Sequence, residues 1–342
     1  MIQMSGFARS GKPLFQCLIK MKRVGKMKKL IALSLVLILA LLLVSCGSSG
    51  STKYHVGVSQ LAQHPALDAA TQGFIDALTE KLGDSVQIEV KNASGDASAC
   101  TTIAQSFVSD GVDLIMANAT SALSAAASAT ADIPILGTSI TEYGVALDLE
   151  NFSGVTGRNV SGTSDLAPLD GQAQLLHDLF PDAKSVGILY CSGEPNSRYQ
   201  VTEITVFLNA YGYEVKEFSF TDSNDVAPVT QQACDESDVI YIPTDNTAAD
   251  CAETINNIAL VAKTPIIAGE EGICHGCGVA TLTISYYDIG YATGLMAYEI
   301  LANGADVSQM PIEYAPEFVK KYNPAIADQY GLVFGEEFEA VE

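Results

Sequence analysis

The side chains able to recognise a small molecule fall in short polar runs, each placed directly after an apolar stretch. Gln60 and His64 follow Val56–Ser59; Asn118, Thr120 and Ser121 follow Leu114–Met116; Thr138, Ser139 and Thr141 follow Ile133–Leu136. The pattern returns later in the chain. Ser192, Glu194, Asn196 and Ser197 follow Val186–Tyr190, Thr244, Asp245 and Asn246 follow Val239–Ile242, and Glu270 and Glu271 follow Pro265–Ala268. A helix that opens at Thr120 and Ser121 presents free backbone N–H groups and a partial positive charge, a seat for a carboxylate that needs no lysine or arginine. Asp165, Asp245 and the Glu270-Glu271 pair are complementary, since carboxylates hold an ammonium by charge-assisted hydrogen bonds. Together the two sets suit an α-amino acid. Any one of these residues also serves as an ordinary helix cap; their joint recurrence is what points to a ligand.

Catalysis finds little support. No Gly-x-Gly-x-x-Gly or Walker loop follows an early strand, and Gly57-Val58-Ser59-Gln60-Leu61 departs from the nucleophile-elbow pattern. Of the histidines, His55 begins a strand and His177 lies in a helix, which leaves His64 and His275, too few for a histidine-rich catalytic metal site. Cys274-His275-Gly276-Cys277 invites a metal or redox reading, but zinc needs partners elsewhere and redox Cys-x-x-Cys motifs open a helix in a thioredoxin-like unit. A local Cys274–Cys277 disulfide is the favoured expectation, with free thiols and a metal as alternatives, because the chain reads as exported. No metal, no cofactor and no enzymatic activity are expected.

The positions of these runs follow from a repeated architecture. Val56-Gly57-Val58 recurs as Val186-Gly187-Ile188, Asp113-Leu114-Ile115-Met116 as Asp238-Val239-Ile240-Tyr241, and Ile133-Pro134-Ile135 as Thr264-Pro265-Ile266. Between the copies, Gly157-Arg158-Asn159-Val160-Ser161-Gly162-Thr163-Ser164-Asp165 has no hydrophobic period and reads as a crossover. Apolar runs without polar alternation, separated by amphipathic helices, mean parallel sheets covered on both faces. The expected fold is α/β: two doubly wound parallel-sheet lobes joined by a hinge. In such sheets ligands bind beyond the carboxyl ends of the strands, where the polar runs lie.

The chain has 342 residues and a formal charge of −22. Eight of the 18 basic residues precede Cys46 and no acid does, so the remainder is near −30. Such a surface repels nucleic acid and anionic headgroups, and no nucleic-acid partner is expected. Lys28-Lys29 followed by Leu30 to Val44 is a basic segment with an apolar core too short to span a bilayer, which is an export signal. Met27 is its natural start, with Met21 as the alternative. Leu43-Val44-Ser45-Cys46 resembles the lipobox of bacterial lipoproteins, in which the cysteine is acylated, and Gly47–Ser51 would then be a flexible leash. Cys100, Cys191, Cys234, Cys251, Cys274 and Cys277 remain, with pairing open.

From about Tyr54 to Tyr330 the chain resembles the ABC-transporter substrate-binding lipoproteins of the tryptophan/tyrosine type, which have the type I periplasmic-binding-protein architecture. The resemblance rests on His64-Pro65-Ala66-Leu67-Asp68, Gly162-Thr163-Ser164-Asp165 with Pro168, Ser192-Gly193-Glu194-Pro195-Asn196-Ser197, Pro243-Thr244-Asp245-Asn246, Gly269-Glu270-Glu271-Gly272, and Tyr286-Tyr287 with Gly290. It implies an extracellular, lipid-anchored monomer that captures a small α-amino acid by hinge closure and delivers it to an ABC permease. A sensing role for the same cleft and a solute such as a nucleoside are the alternatives. It also implies three lobe crossings, near Ser161, Ser285 and Val307. Residues 1–45 would be the signal region and 46–53 the anchor and linker. Residues 54–160 with 285–307 would form one lobe, and 161–284 with 308–342 the other. Tyr143 stands where relatives tend to have proline, and is expected either to stack on an aromatic ligand or to fill the pocket. The residues expected at the ligand are Gln60, His64, Thr120, Ser121, Thr138, Ser139, Tyr143, Asp165, Ser192, Glu194, Asn196, Ser197, Asp245, Asn246 and Glu270.

Overall fold

A computed structural model describes residues 53–341, so the signal region, Cys46 and the linker up to residue 52 lie outside the described residues. Two sheets carry the chain. The first contains β1 (Tyr54–Gln60), β2 (Val86–Asn92), β3 (Leu114–Asn118), β4 (Ile135–Ile140), β5 (Val160–Ser164) and β11 (Glu313–Tyr314), in the order β11-β5-β4-β3-β1-β2. The second contains β6 (Ser185–Cys191), β7 (Glu214–Phe220), β8 (Val239–Ile242), β9 (Ile266–Ala268), β10 (Ala280–Thr283), β12 (Val319–Tyr322) and β13 (Phe338–Ala340), in the order β13-β12-β10-β9-β8-β6-β7. Read from the other edge, β2-β1-β3-β4-β5 and β7-β6-β8-β9-β10 follow one scheme, so the sequence repeat is a repeat of topology. All recorded pairings are parallel except β10 with β12.

Each sheet is buried on both faces, as its unalternated apolar strands require. In the first, Val56, Val58, Leu114, Met116 and Leu136 pack with Phe74 and Leu78 on one side, and Ile115, Ala117, Ile135 and Val160 with Phe107 and Leu123 on the other. In the second, Val186, Ile188 and Tyr241 face Leu176 and Ile204, while Leu189, Ile240 and Ile242 face Phe220 and Ile255. No helix among the described residues is long and apolar enough to cross a membrane.

The helices Pro65–Leu82 and Tyr286–Asn303 lie together on the first sheet, and glycine sets how closely they meet. A Cβ on Gly73 would come within 2.1 Å of the Tyr287 carbonyl oxygen, and one on Gly290 within 2.0 Å of that of Ala70. Either alanine substitution would push the helices apart.

Strand pairing places two crossovers and moves the last. β5 pairs with β4 through Val160↔Ile135 and Ser161↔Leu136, so the chain leaves the first sheet at the end of this strand, after Ser164. Glu313 and Tyr314 pair with Thr163 and Ser164 of β5, so the strand next to Ile312 extends the first sheet and not the second, and the last crossover follows Tyr314. The resemblance fixes which elements exist, but a two-residue edge strand carries no periodic signal by which to assign it to a sheet.

Candidate ligand-binding site

The carboxyl ends of the parallel strands in the two sheets meet across a narrow space. His64, Ser139, Thr141 and Asp165 line it from the first half, Asn196, Thr244, Asp245, Asn246 and Glu270 from the second, with Tyr286 at the start of the long helix. Its volume is about 10 Å³. That is about one water molecule, so an amino acid enters only when the halves separate. A wider open groove of about 720 Å³ adjoins it at Asn246 and is bordered by Ser121, Ser94, Cys191, Glu194 and Asp222.

Four buried carboxylates define the electrostatics, and they differ in what they hold. Glu194 accepts from the Asn246 and Thr247 amides at 3.1 and 2.8 Å, from the Thr247 hydroxyl at 2.8 Å, and from the Asn246 and Asn196 side-chain amides at 2.6 and 3.1 Å. Asp245 caps the same short helix at Ala248 N (2.8 Å) and accepts from Cys191 N (2.6 Å) and Ser197 Oγ (2.7 Å). Glu270 caps its own helix, accepting from Gly272 N at 2.6 Å and Ile273 N at 2.5 Å. All three are engaged in holding backbone. Asp165 is not: its Oδ2 accepts from the Tyr286 hydroxyl at 3.1 Å, and its Oδ1 is buried without a partner.

No lysine or arginine lines this space. Burial raises the Asp165 carboxyl to about 6, against the opposing effect of neighbouring hydroxyls. Burial and the Glu194 charge raise Asp245. Burial raises Glu270 too, with His64 opposing. Buried carboxyl groups whose charge is uncompensated are held above their ordinary range, and a cation brought among them would restore it. The donors face them. Ser139 Oγ is buried and unpartnered, and His64 uses Nε2 to reach Asn246 Oδ1 at 3.2 Å across the gap while its Nδ1 is buried and unpartnered.

The remaining expected residues are placed elsewhere. Gln60 braces its own loop, donating to Ala62 O and Asp68 Oδ1 and accepting from Thr71. Thr138 is buried between strands, bonded to Thr163 Oγ1 at 3.1 Å. Ser192 donates to Phe220 O, Ser197 lies behind Asp245 and Asn196, donating to the first and accepting from the second, and Thr120 is buried at its helix start while Ser121 faces the wider groove. Tyr143 neither stacks into the space nor fills it: it is 1% exposed, and its hydroxyl donates to Gly137 O at 3.1 Å and Thr163 O at 3.0 Å. Thr141 and Thr244, read in the polar runs after their strands, line the space, and so does Tyr286, which was not among the ligand residues expected. Of these, Tyr286 had a readable signal, the cap Ser285 directly before an aromatic pair.

The expected disulfide is also corrected. Cys274 and Cys277, like the other four cysteines of the described residues, are free thiols. Cys274 lies inside the Glu271–Gly276 helix and donates to Gly278 O at 3.8 Å, and burial pushes both thiols up, away from the reactive thiolate. Among the described residues no group of three or more His, Cys, Asp or Glu could hold a metal ion.

This geometry has known counterparts. Residues 55–341 match the family described as ABC transporter substrate binding protein. The chain belongs to that family. Its members are extracytoplasmic solute-binding proteins and not enzymes. A tyrosine-binding protein of Clostridioides difficile (strain R20291) is 38% identical over 264 residues, 75% of each chain. Among solved structures, a domain from Streptococcus pneumonia in complex with L-Trp is 32% identical, with a TM-score of 0.79 over 84% of this chain and 100% of that one. The ligand-free, open form of a substrate-binding protein with adhesive properties from Clostridium difficile is 37% identical, with a TM-score of 0.66 over 84% and 99%. The fold is thus that of the type I periplasmic binding proteins.

Proposed function

We propose that this chain is the solute-capturing component of an ABC importer for a free aromatic α-amino acid, tyrosine or tryptophan, held as a monomer at the outer face of the membrane by a lipid on Cys46. The observation that carries the reading is a buried pair of unsatisfied polar atoms on one wall of the space, Asp165 Oδ1 and Ser139 Oγ, an acceptor and a donor without protein partners. Buried polar groups are almost always hydrogen-bonded, so these two exceptions on one cavity wall, with His64 Nδ1 as a third, support a ligand that supplies the missing partners. An ammonium satisfies Asp165; a carboxylate satisfies Ser139 together with the first-turn amides of the Thr120–Ala129 helix.

Capture follows from differential contact. An amino acid touching both walls binds the shut arrangement better than the open one, and that difference drives closure. His64 to Asn246 is a direct bond between the walls in the shut form. For micromolar affinity the net binding term is about −8 kcal/mol. The closed protein then docks on the permease and releases its cargo. Native mass spectrometry of the gently purified protein tests the reading: a bound mass equal to tyrosine or tryptophan is expected, and a nucleoside or sugar mass would overturn it.

A further inference from the structure

Among the described residues, six other than glycine have positive φ. Four are in exposed or partly buried turns with φ between 50° and 60°: Ser94, Asp148, Asn151 and Lys263, and two of these end helices. The other two are buried and adjacent. Ala119 (φ 86°, ψ 156°) follows β3, and Ser139 (φ 56°) is in β4, where the pairing with β5 shifts register between Gly137 and Ile140. The Ala119 conformation is one that side chains with a Cβ almost never adopt. The two are tied together, since the Ala119 amide donates to the Thr138 carbonyl at 3.1 Å.

The internal repeat supplies a control. β3 and β8 begin at Leu114 and Val239, and β4 and β9 at Ile135 and Ile266, which aligns Ala119 with Thr244 and Ser139 with Glu270. Glu270 has φ −152° and Thr244 has no positive φ. The fold therefore does not require the strain; only the first lobe has it. It coincides there with the unpartnered, buried Ser139 hydroxyl on the cavity wall.

We propose that Ala119 and Ser139 are positioning residues of the amino-acid site, holding the strand ends in a strained form that aims the Ser139 hydroxyl and the following helix start at the ligand carboxylate. The kink is braced from behind. Tyr143 bonds Gly137 O and Thr163 O, and a Cβ on Gly162 would stand 2.0 Å from Gly137 O, so β5 approaches β4 this closely only because residue 162 is glycine. This assignment rests on the amino-acid reading given above.

Two measurements on each variant, calorimetric affinity for tyrosine and tryptophan and the unfolding temperature without ligand, separate positioning from a structural role. Ser139→Gly accepts positive φ without penalty and loses the hydroxyl: its Tm should rise by about 1 to 3 °C while affinity falls about tenfold. Ala119→Val cannot hold the backbone, and in the folded fraction affinity should fall tenfold or more. Should Ala119→Val not fold, Ser139→Gly decides alone. Unchanged affinity or a lowered Tm in Ser139→Gly overturns the assignment, provided the parent binds. A parent that binds neither amino acid overturns the functional reading, and this assignment with it.

Discussion

The two lobes share a strand order and differ in how their polar groups are employed. In the second, Glu194, Asp245 and Glu270 between them accept ten hydrogen bonds, almost all from their own lobe's backbone and short side chains. In the first, Asp165 and Ser139 keep buried atoms unpaired, beside two residues of strained backbone. One wall satisfies its own carboxylates; the other keeps buried polar atoms without a protein partner. The difference teaches that a cluster of carboxylates is not by itself an ammonium site, because the second lobe uses its own to hold the start of the Asn246–Asp250 helix.

That contrast can be broken by mutation. The largest effect is expected at Asp165: replacement by alanine leaves a buried ammonium without its partner and should weaken binding by about 3 kcal/mol, roughly 100-fold. Equal calorimetric affinity would remove Asp165 from the site. Next comes Glu194→Ala, which leaves the Asn246 and Thr247 amides unsatisfied and should cost about 2 kcal/mol of stability, read as a lower denaturation midpoint. If affinity suffers more than stability, the second lobe is not the preformed wall described here.

The pH dependence is smaller and has a definite sign. Asp165 is raised to about 6, so lowering the pH through that value protonates the group expected to hold the ammonium. Affinity should be flat above about pH 7 and fall, by up to about tenfold per unit, below 6. The Asp165→Ala protein should lose this dependence. For stability the sign is the same for any solute: a carboxyl raised on folding destabilises the native state above its unfolded pKa, so ligand-free protein should gain stability as pH falls from 7 towards 5 at this group. The smallest effect is expected for Tyr143→Phe, about 1 kcal/mol of stability from the lost hydroxyl bonds, with affinity lowered only two- to threefold.

Much of this was legible in the sequence. Unalternated runs such as Val186–Tyr190 fixed the strands, and the repeat fixed the twin sheets, because both depend on local period and not on contact. The polar runs after each strand located the cleft by topology alone. What stayed hidden was which polar group is free. Asp245 and Asp165 read alike in sequence, and only the folded arrangement brings Ser197, Cys191 and Ala248 onto one while Tyr286 leaves the other half open. Tyr143 misled for a related reason. An aromatic residue in a cleft loop suggests stacking, but two neighbouring carbonyls made accessible by Gly137 and Gly162 turn it inward.

The most direct test pairs a ligand change with a protein change. Tyrosine and its analogue lacking the amino group, 3-(4-hydroxyphenyl)propanoate, would be titrated calorimetrically into the parent and into Asp165→Ala. The account predicts that the parent prefers tyrosine by about 100-fold and that the variant no longer distinguishes the two, a coupling of roughly 3 kcal/mol. A variant that kept the full preference would contradict it, placing the ammonium on some other group.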